Sequence, residues 1–398
     1  MKKLTGSYLS IGAGANQIPL IKAAKERGLK VIAVDKNPSA PGFIDSDIKI
    51  LESTHEYRKI LHAMSQVPLP YKLLGVGTRS FGKATYTTSY LAEKLKLKGN
   101  PVQSVSLFLN KEDVKGKVLK VGVPTPIPYT NLRKLTEKKP NIQFPVITKP
   151  KNGSGKMGIQ VFETESEFKK FSKLKVSDSF LMEPFVEGEE VTVLGFVISS
   201  KFYLISITDK ITKGKPSFVE IAHIAPSKHL DMAGELKMLC QAITKATKLK
   251  TGAFVAEFII TKNKECHFIE AAPEVGGEFL ADTLIPYHYG YNYFKDFLSV
   301  TIGEKTRPEF LANDDLLKKK SALVFVLPND RQKKVKQSFV LKPEFGETVF
   351  FEKQLIPVGS SLDGLEGNHR RTQVFGISTK QNVQTETWLL GIQGRLDL

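Results

Sequence analysis

Hydrophobic and polar positions along the first hundred residues follow two alternating periods. Tyr8–Ile11, Leu29–Asp35, Asp47–Leu51 and Leu73–Val76 are compact apolar runs, too short for helices, and read as strands. Between and after them come an amphipathic stretch from Ile18 to Arg27, ending at Gly28, and helices starting near Thr54 and Ser80. Strands alternating with helices predict an open parallel sheet. From about Asn110 the pattern changes. A helix over Lys111–Lys120 meets a hard stop at Gly122-Val123-Pro124-Thr125-Pro126, and an apolar strand at Phe144–Thr148 runs into a glycine-rich loop. The strands that follow read as largely antiparallel. After Glu304 a charged linker (Asn313 to Lys320) leads to short strands such as Ala322–Leu327 and Thr348–Phe351. The expected fold class is mixed, α/β and α+β, in three units. These are a parallel α/β lobe over residues 1–109, a two-part domain over 110–303, and a small β-rich α+β lobe over 304–398.

Length and composition agree with this division. The 398 residues suit two or three domains at roughly 100–200 residues each. With 41% hydrophobic and 25% charged residues the chain matches soluble globular proteins, and no apolar run approaches the roughly 18 residues of a membrane span. Two cysteines, Cys240 and Cys266, are too few for a disulfide framework and suit a reducing, cytoplasmic setting. The net charge of +17 invites a nucleic-acid reading. However, 49 of the 58 basic residues are lysines scattered along the chain, and arginine is the residue suited to bidentate base and phosphate recognition. No nucleic-acid partner is expected.

Four segments carry chemistry. Gly12-Ala13-Gly14 after the first strand, with Asp35 after the second, imitates a dinucleotide fingerprint; Gln17 stands where its third glycine belongs, which leaves a tight strand–helix connection. Lys149-Pro150-Lys151-Asn152-Gly153-Ser154-Gly155-Lys156-Met157-Gly158 places lysines beside glycines whose backbone N–H groups can approach an anion closely. Phe180–Glu190 is an apolar strand, a Glu183-Pro184 hinge and an acidic turn. Finally, Phe254–Thr261 and Cys266–Ala271 form a hairpin. With a turn of two or four residues, Thr261 faces Cys266, Ile259 faces Phe268 and Glu257 faces Glu270. Two acids opposed inside apolar strands are costly without a partner, and a divalent cation supplies one.

Taken in order, these segments resemble the ATP-grasp superfamily over roughly residues 1–305. The resemblance rests on Asn110-Lys111 ahead of Gly122-Val123-Pro124, the Lys149 loop, the Glu183–Glu190 hinge, Ala256-Glu257-Phe258, and Phe268–Pro273. It implies a pre-ATP-grasp lobe, a two-part ATP-grasp domain, and an ADP-forming ligase joining a small carboxylic acid to an amine through an acyl phosphate. It implies that Lys111 and Lys149 hold the ATP phosphates under a lid of Gly153, Ser154, Gly155 and Gly158. Glu183, Pro184 and Val186 would border the adenine and Glu190 the ribose, while Glu257 and Glu270 would bind Mg²⁺ or Mn²⁺. Lys149, Glu257 and Glu270 are then the catalytic set, with His223, Glu274, Gly276, Gly277 and Glu278 bordering the substrates. A homodimer is compatible with the resemblance.

The chain departs from the family at two positions. Similar enzymes carry Asn and Arg where Ala272 and Glu274 stand, so one metal ligand is missing and one substrate-site charge is inverted. Either another arginine replaces it, with Arg307 nearest in sequence, or the substrate carries a cation near Glu274 or Glu278. Biotin-carboxylase-like chemistry, a nicotinamide oxidoreductase and a non-catalytic nucleotide-binding protein are the competing readings.

Overall fold

A four-stranded parallel sheet opens the chain, ordered β3-β2-β1-β4 from β1 (Ser7–Ile11), β2 (Lys30–Val34), β3 (Ile48–Ile50) and β4 (Leu73–Gly77). The structure is a computed structural model describing residues 3–67, 71–129, 142–153, 155–175, 179–277, 279–310, 318–329, 331–380 and 383–396. Strands β1 and β2 are buried along nearly their whole length because helices cover both faces of the sheet. Leu9 and Ile11 pack with Ile60, Met64 and Leu91 of the helices Tyr57–Gln66 and Lys83–Lys94. Tyr8 points the other way, toward Leu20 of the helix Ile18–Glu26 and Phe297 of the helix Tyr293–Ile302. Its hydroxyl lies 2.9 Å from that of Thr301.

The largest element is an eight-stranded antiparallel sheet. Its strands are β8 (Glu189–Ile198), β9 (Lys201–Thr212), β10 (Glu220–Ala225), β11 (Gly252–Ile260), β12 (Cys266–Ala272), β13 (Lys320–Val326), β14 (Glu347–Gln354) and β15 (Gln373–Thr379). They are ordered β12-β11-β8-β9-β10-β13-β15-β14. The strands after residue 304 therefore extend this sheet, with β13 pairing to β10 at Ala222↔Val324. Ser199 and Ser200, both at positive φ, turn β8 tightly into β9. A third, three-stranded sheet, ordered β6-β5-β7, comprises β5 (Val146–Pro150), β6 (Gln160–Phe162) and β7 (Phe180–Pro184).

One apolar cluster runs from Tyr8 and Val31 through Leu194, Phe196 and Phe297 to Phe325 and Val374, linking the first sheet to the large one. Both cysteines are buried free thiols. Among the described residues no helix is long and apolar enough to cross a membrane.

Candidate active site

The small sheet and the large one face each other across a cleft of about 580 Å³. Strand β5 carries Lys149 into it. Ile147 pairs with Glu183 of β7, so Lys149, two residues on, lies diagonally beside Glu183 on the same face, and their charged ends meet at 2.8 Å. Lys115 grips the other Glu183 oxygen. It projects from the helix Lys111–Leu119, whose N-terminus Asn110 caps by accepting from the Glu112 N–H. The Lys115 ammonium also donates to Thr125 Oγ1 (3.0 Å), and that hydroxyl donates to the Phe268 carbonyl (2.8 Å). Burial, with the nearby Lys149 charge, lowers the Lys115 pKa to about 8. Glu183, expected to border the adenine, thus turns its carboxylate inward as the counter-ion of two lysines. Lys115 was not anticipated, although it follows Lys111 by one helical turn on the same face.

Across the cleft, Glu257 and Glu270 are partners in the β11–β12 ladder. The other expected pairs are corrected: Ile259 faces His267 and Ile260 faces Cys266. Lys264 takes a left-handed conformation (φ 62°) and Thr261 pairs with Glu265, so three residues form the turn and shift the register by one. A bulge between the Glu257 and Phe258 pairs, which leaves Ile269 unpaired, shifts it back.

Lys210 connects the acids. It lies on β9, is 3% exposed, and sits 2.5 Å from Glu257, 2.9 Å from Glu220 and 3.7 Å from Glu190. Burial pulls its pKa down, but Glu220, Glu257 and Glu190 outweigh that and hold it well above the usual value. Glu257 is held up by burial, with Glu270 adding to the effect and Lys210 opposing it. Burial also opposes ionisation of Glu270, yet Lys111, 3.2 Å away, and Lys156 and Lys210 keep it far below the carboxylate range. Arg371, from the C-terminal segment, reaches Glu220 at 3.4 Å.

The glycine loop closes over these groups. Lys156, at φ 60°, lies 3.2 Å from Glu190 and 4.0 Å from Glu257, and Lys111 donates to the Gly153 carbonyl at 2.6 Å. Gly155 (φ 75°) accepts from the Asn368 N–H at 2.9 Å, and the Asn368 side chain accepts from the Glu220 N–H at 3.1 Å. The lid is thereby fastened to the turn Gly367–Arg370. Ile147, Met157, Ile159, Phe185, Phe218 and Ile269 give the cleft apolar walls, and Pro184 and Val186 lie along one edge.

Other expected site residues fall elsewhere. His223, 2% exposed on β10, lies 3.6 Å from Glu220 and edge-on to Phe325. Arg307 is exposed and is not among the residues lining the cleft. The buried arginines nearby are Arg371 and Arg79. Arg79 follows β4 and donates to the Gly277 carbonyl at 3.0 Å, and its charge acts on Glu274. Gly276 adopts φ 87° against Val255 and Leu194. Ser154 and Glu278 lie outside the described residues. Asp35, the candidate ribose acid, accepts from the Ala13 and Asn37 N–H groups at 3.0 and 2.9 Å, tying the loop after β1 to the loop after β2.

The acids fit a hard divalent cation. Glu257 Oε2 is buried with no hydrogen-bond partner among the described residues, and it belongs to a carboxylate directly opposite Glu270. Among the described residues no group of three or more His, Cys, Asp or Glu could hold a metal, so nucleotide phosphates would complete the shell.

Residues 142–282 match the model of a family described as the ATP-grasp domain. Over 141 residues the chain is 29% identical to the D-alanine–D-alanine ligase of Campylobacter jejuni subsp. doylei, covering 35% of this chain and 40% of that one. The chain thus spans less than half the length of that curated relative. The L-amino acid ligase of Bacillus licheniformis is similar in structure at TM-score 0.76 and 17% identity, over 99% of this chain and 98% of the other. Phosphoribosylglycinamide synthetase of Anaerococcus prevotii follows at 0.71 and 20%, over 98% of each. Biotin carboxylase of Campylobacter jejuni gives 0.70 and 16%, over 99% and 92%. At these identities the likeness shows the fold. The whole chain shares its fold with these ligase and carboxylase structures, and residues 142–282 match the ATP-grasp domain.

Proposed function

We propose that this chain, built around an ATP-grasp domain, is an ATP-dependent, ADP-forming ligase that joins a small carboxylic acid to an amine. The observation that carries the reading is the pairing of Glu257 with Glu270 opposite Lys111 and Lys149 across one cleft. Phosphoryl transfer relies on positioning and charge compensation, and this arrangement offers both.

Adenine fits the apolar end of the cleft. Pro184 has no N–H, and that of Phe185 is spent on the Pro145 carbonyl at 3.0 Å. The Pro184 carbonyl and the Val186 N–H are therefore the acceptor and donor for the base. Glu190 receives the ribose hydroxyls, releasing Lys156 toward the phosphates. Glu257 and Glu270 hold Mg²⁺ or Mn²⁺, which supplies charge neutralisation at the phosphates when bound. Lys111 and Lys149 place further positive charge at the γ-phosphoryl group.

A substrate carboxylate oxygen attacks the γ-phosphorus and the bond to the β–γ bridging oxygen breaks, giving ADP and an acyl phosphate. The amine nitrogen then attacks the acyl carbon, and phosphate leaves as the nitrogen loses a proton. Closure of the Gly153–Gly158 loop onto Asn368 shields the acyl phosphate from water.

ADP release across a panel of carboxylic acids, with hydroxylamine as acceptor, tests this reading. A hydroxamate is the expected product and identifies the activated acid. ADP release that depends on bicarbonate instead would favour carboxylase chemistry. Nucleotide binding without ADP release for any acid would show a non-catalytic nucleotide-binding protein.

A further inference from the structure

Lys210 has no part in the proposed phosphoryl transfer, yet it lines the cleft and is buried. Its ammonium is shared by Glu257 at 2.5 Å, Glu220 at 2.9 Å and Glu190 at 3.7 Å, carboxylates from the three strands β11, β10 and β8. Acid oxygens converging from several elements are the usual surroundings of a hard divalent cation. Here they surround a lysine. The sheet builds this in, because Lys210 of β9 is the direct cross-strand partner of Glu190 and their side chains share a face.

The oxygens of the acid pair are not all free. Glu257 Oε1 accepts from Lys210 at 2.5 Å, which leaves Oε2 as its one oxygen without a hydrogen-bond partner among the described residues. Glu270 Oε2 lies 3.2 Å from Lys111. Lys111 is partly exposed and can turn to a phosphate, whereas Lys210 is enclosed among its acids. Ala272, two residues beyond Glu270 on the same face of β12, offers no ligand atom. Two metal ions sharing such a site, about 3.5–4 Å apart, would each need ligands. Glu190, Glu220 and Glu257 are already matched by Lys156, Lys210 and Arg371.

We propose that Lys210 stands in for a second divalent cation, so that the site takes a single Mg²⁺ or Mn²⁺ with its nucleotide. The inference rests on the proposed metal assignment of Glu257 and Glu270 and fixes how many ions that site takes. A built-in ammonium supplies positive charge beside the phosphates without having to be captured from solution. Lys210 acts through Glu257 and Glu190, and so is a positioning residue.

Mn²⁺ binding by the full chain with a non-hydrolysable ATP analogue tests this, with protein in excess so that all nucleotide is bound. Electron paramagnetic resonance counts the free ion, and two Mn²⁺ ions at the spacing of a shared site show spin coupling. The expected result is one uncoupled Mn²⁺ per bound nucleotide, in wild type and in Ala272→Asn alike, because an added amide does not displace Lys210. Lys210→Ala combined with Ala272→Asn vacates the position and adds a ligand, and there a second Mn²⁺ should appear. Circular dichroism checks that this double variant folds. A second or spin-coupled Mn²⁺ in wild type or in Ala272→Asn overturns the inference, whether or not the double variant folds. A folded double variant that still holds a single ion overturns it as well. Glu270→Gln should weaken the single Mn²⁺ by at least about tenfold. Unchanged affinity there takes the metal off the acid pair and overturns the inference together with the metal assignment, while hydroxamate formation by wild type tests the ligase reading separately.

Discussion

Glu257 and Glu270 stand opposite each other because two irregularities of their hairpin cancel. The three-residue turn at Lys262–Lys264 moves the register by one, and the bulge at Ile269 moves it back before the acids are reached. Either feature alone would turn one acid to the other face of the sheet. Glu270 therefore lines the cleft with Glu257 directly beside it, and Lys210 on β9 reaches Glu257.

Glu257→Gln and Glu270→Gln should each lower the turnover number for ADP release by about 10³-fold or more, since loss of several kcal/mol of charge stabilisation is expected. Steady-state ADP release at saturating Mg²⁺ and ATP checks this. Wild-type rates in both variants would remove the two acids from the reaction.

Lys210→Met should destabilise the protein by roughly 3–5 kcal/mol, because three acids lose the cation they share. Left without it, the acids favour their protonated forms when folded, so their folded pKa values lie above the unfolded ones. Stability of the variant should be greatest in acid and fall as pH rises. Chemical denaturation of the variant at pH 6 and pH 8 measures the difference, and equal stability at both would contradict it.

Glu274 has its own pH signature. Its folded pKa of about 7 exceeds the ordinary value of 4.5, so its stabilising contribution is complete below 4.5 and lost as pH rises through 7. The loss is on the order of 3 kcal/mol. Glu270, displaced downward, behaves in the opposite way: its contribution is present above 4.5 and lost in acid. Denaturation curves between pH 5 and 8 should therefore slope less in Glu274→Gln than in wild type.

Gly367→Ala should raise the KM for ATP. Gly367 sits at φ 57°, and an added Cβ would lie 2.2 Å from the Gly155 carbonyl oxygen, a backbone atom that can move only if the loop does. Asn368→Ala keeps the backbone N–H that Gly155 accepts, so it should affect ATP binding less. Nucleotide titrations of the two variants separate the effects.

Much of the architecture was legible before any coordinates. Buried strands announce themselves as apolar runs, and glycine loops and proline hinges mark connections, because these preferences act locally. The same locality exposed Lys149, the glycine loop and the two opposed acids. Lys210 went unremarked because its role depends on strand β9 burying it among acids from β8, β10 and β11. Lys115 went unnoticed because its partners, Glu183 and Thr125, come from other elements. Arg307 was named for closeness in sequence alone, whereas Arg371 reaches Glu220 from the far end of the chain.

The sequence by itself determined the order of strands and helices, the loop that can wrap a phosphate, and the presence of acids too costly to bury alone. The tertiary structure decided which cation answers each acid, how the turn and bulge align Glu257 with Glu270, and that the C-terminal segment fastens the lid through Asn368. Local propensity is written residue by residue. Charge compensation depends on distances between elements far apart in the chain, and only the folded packing sets those.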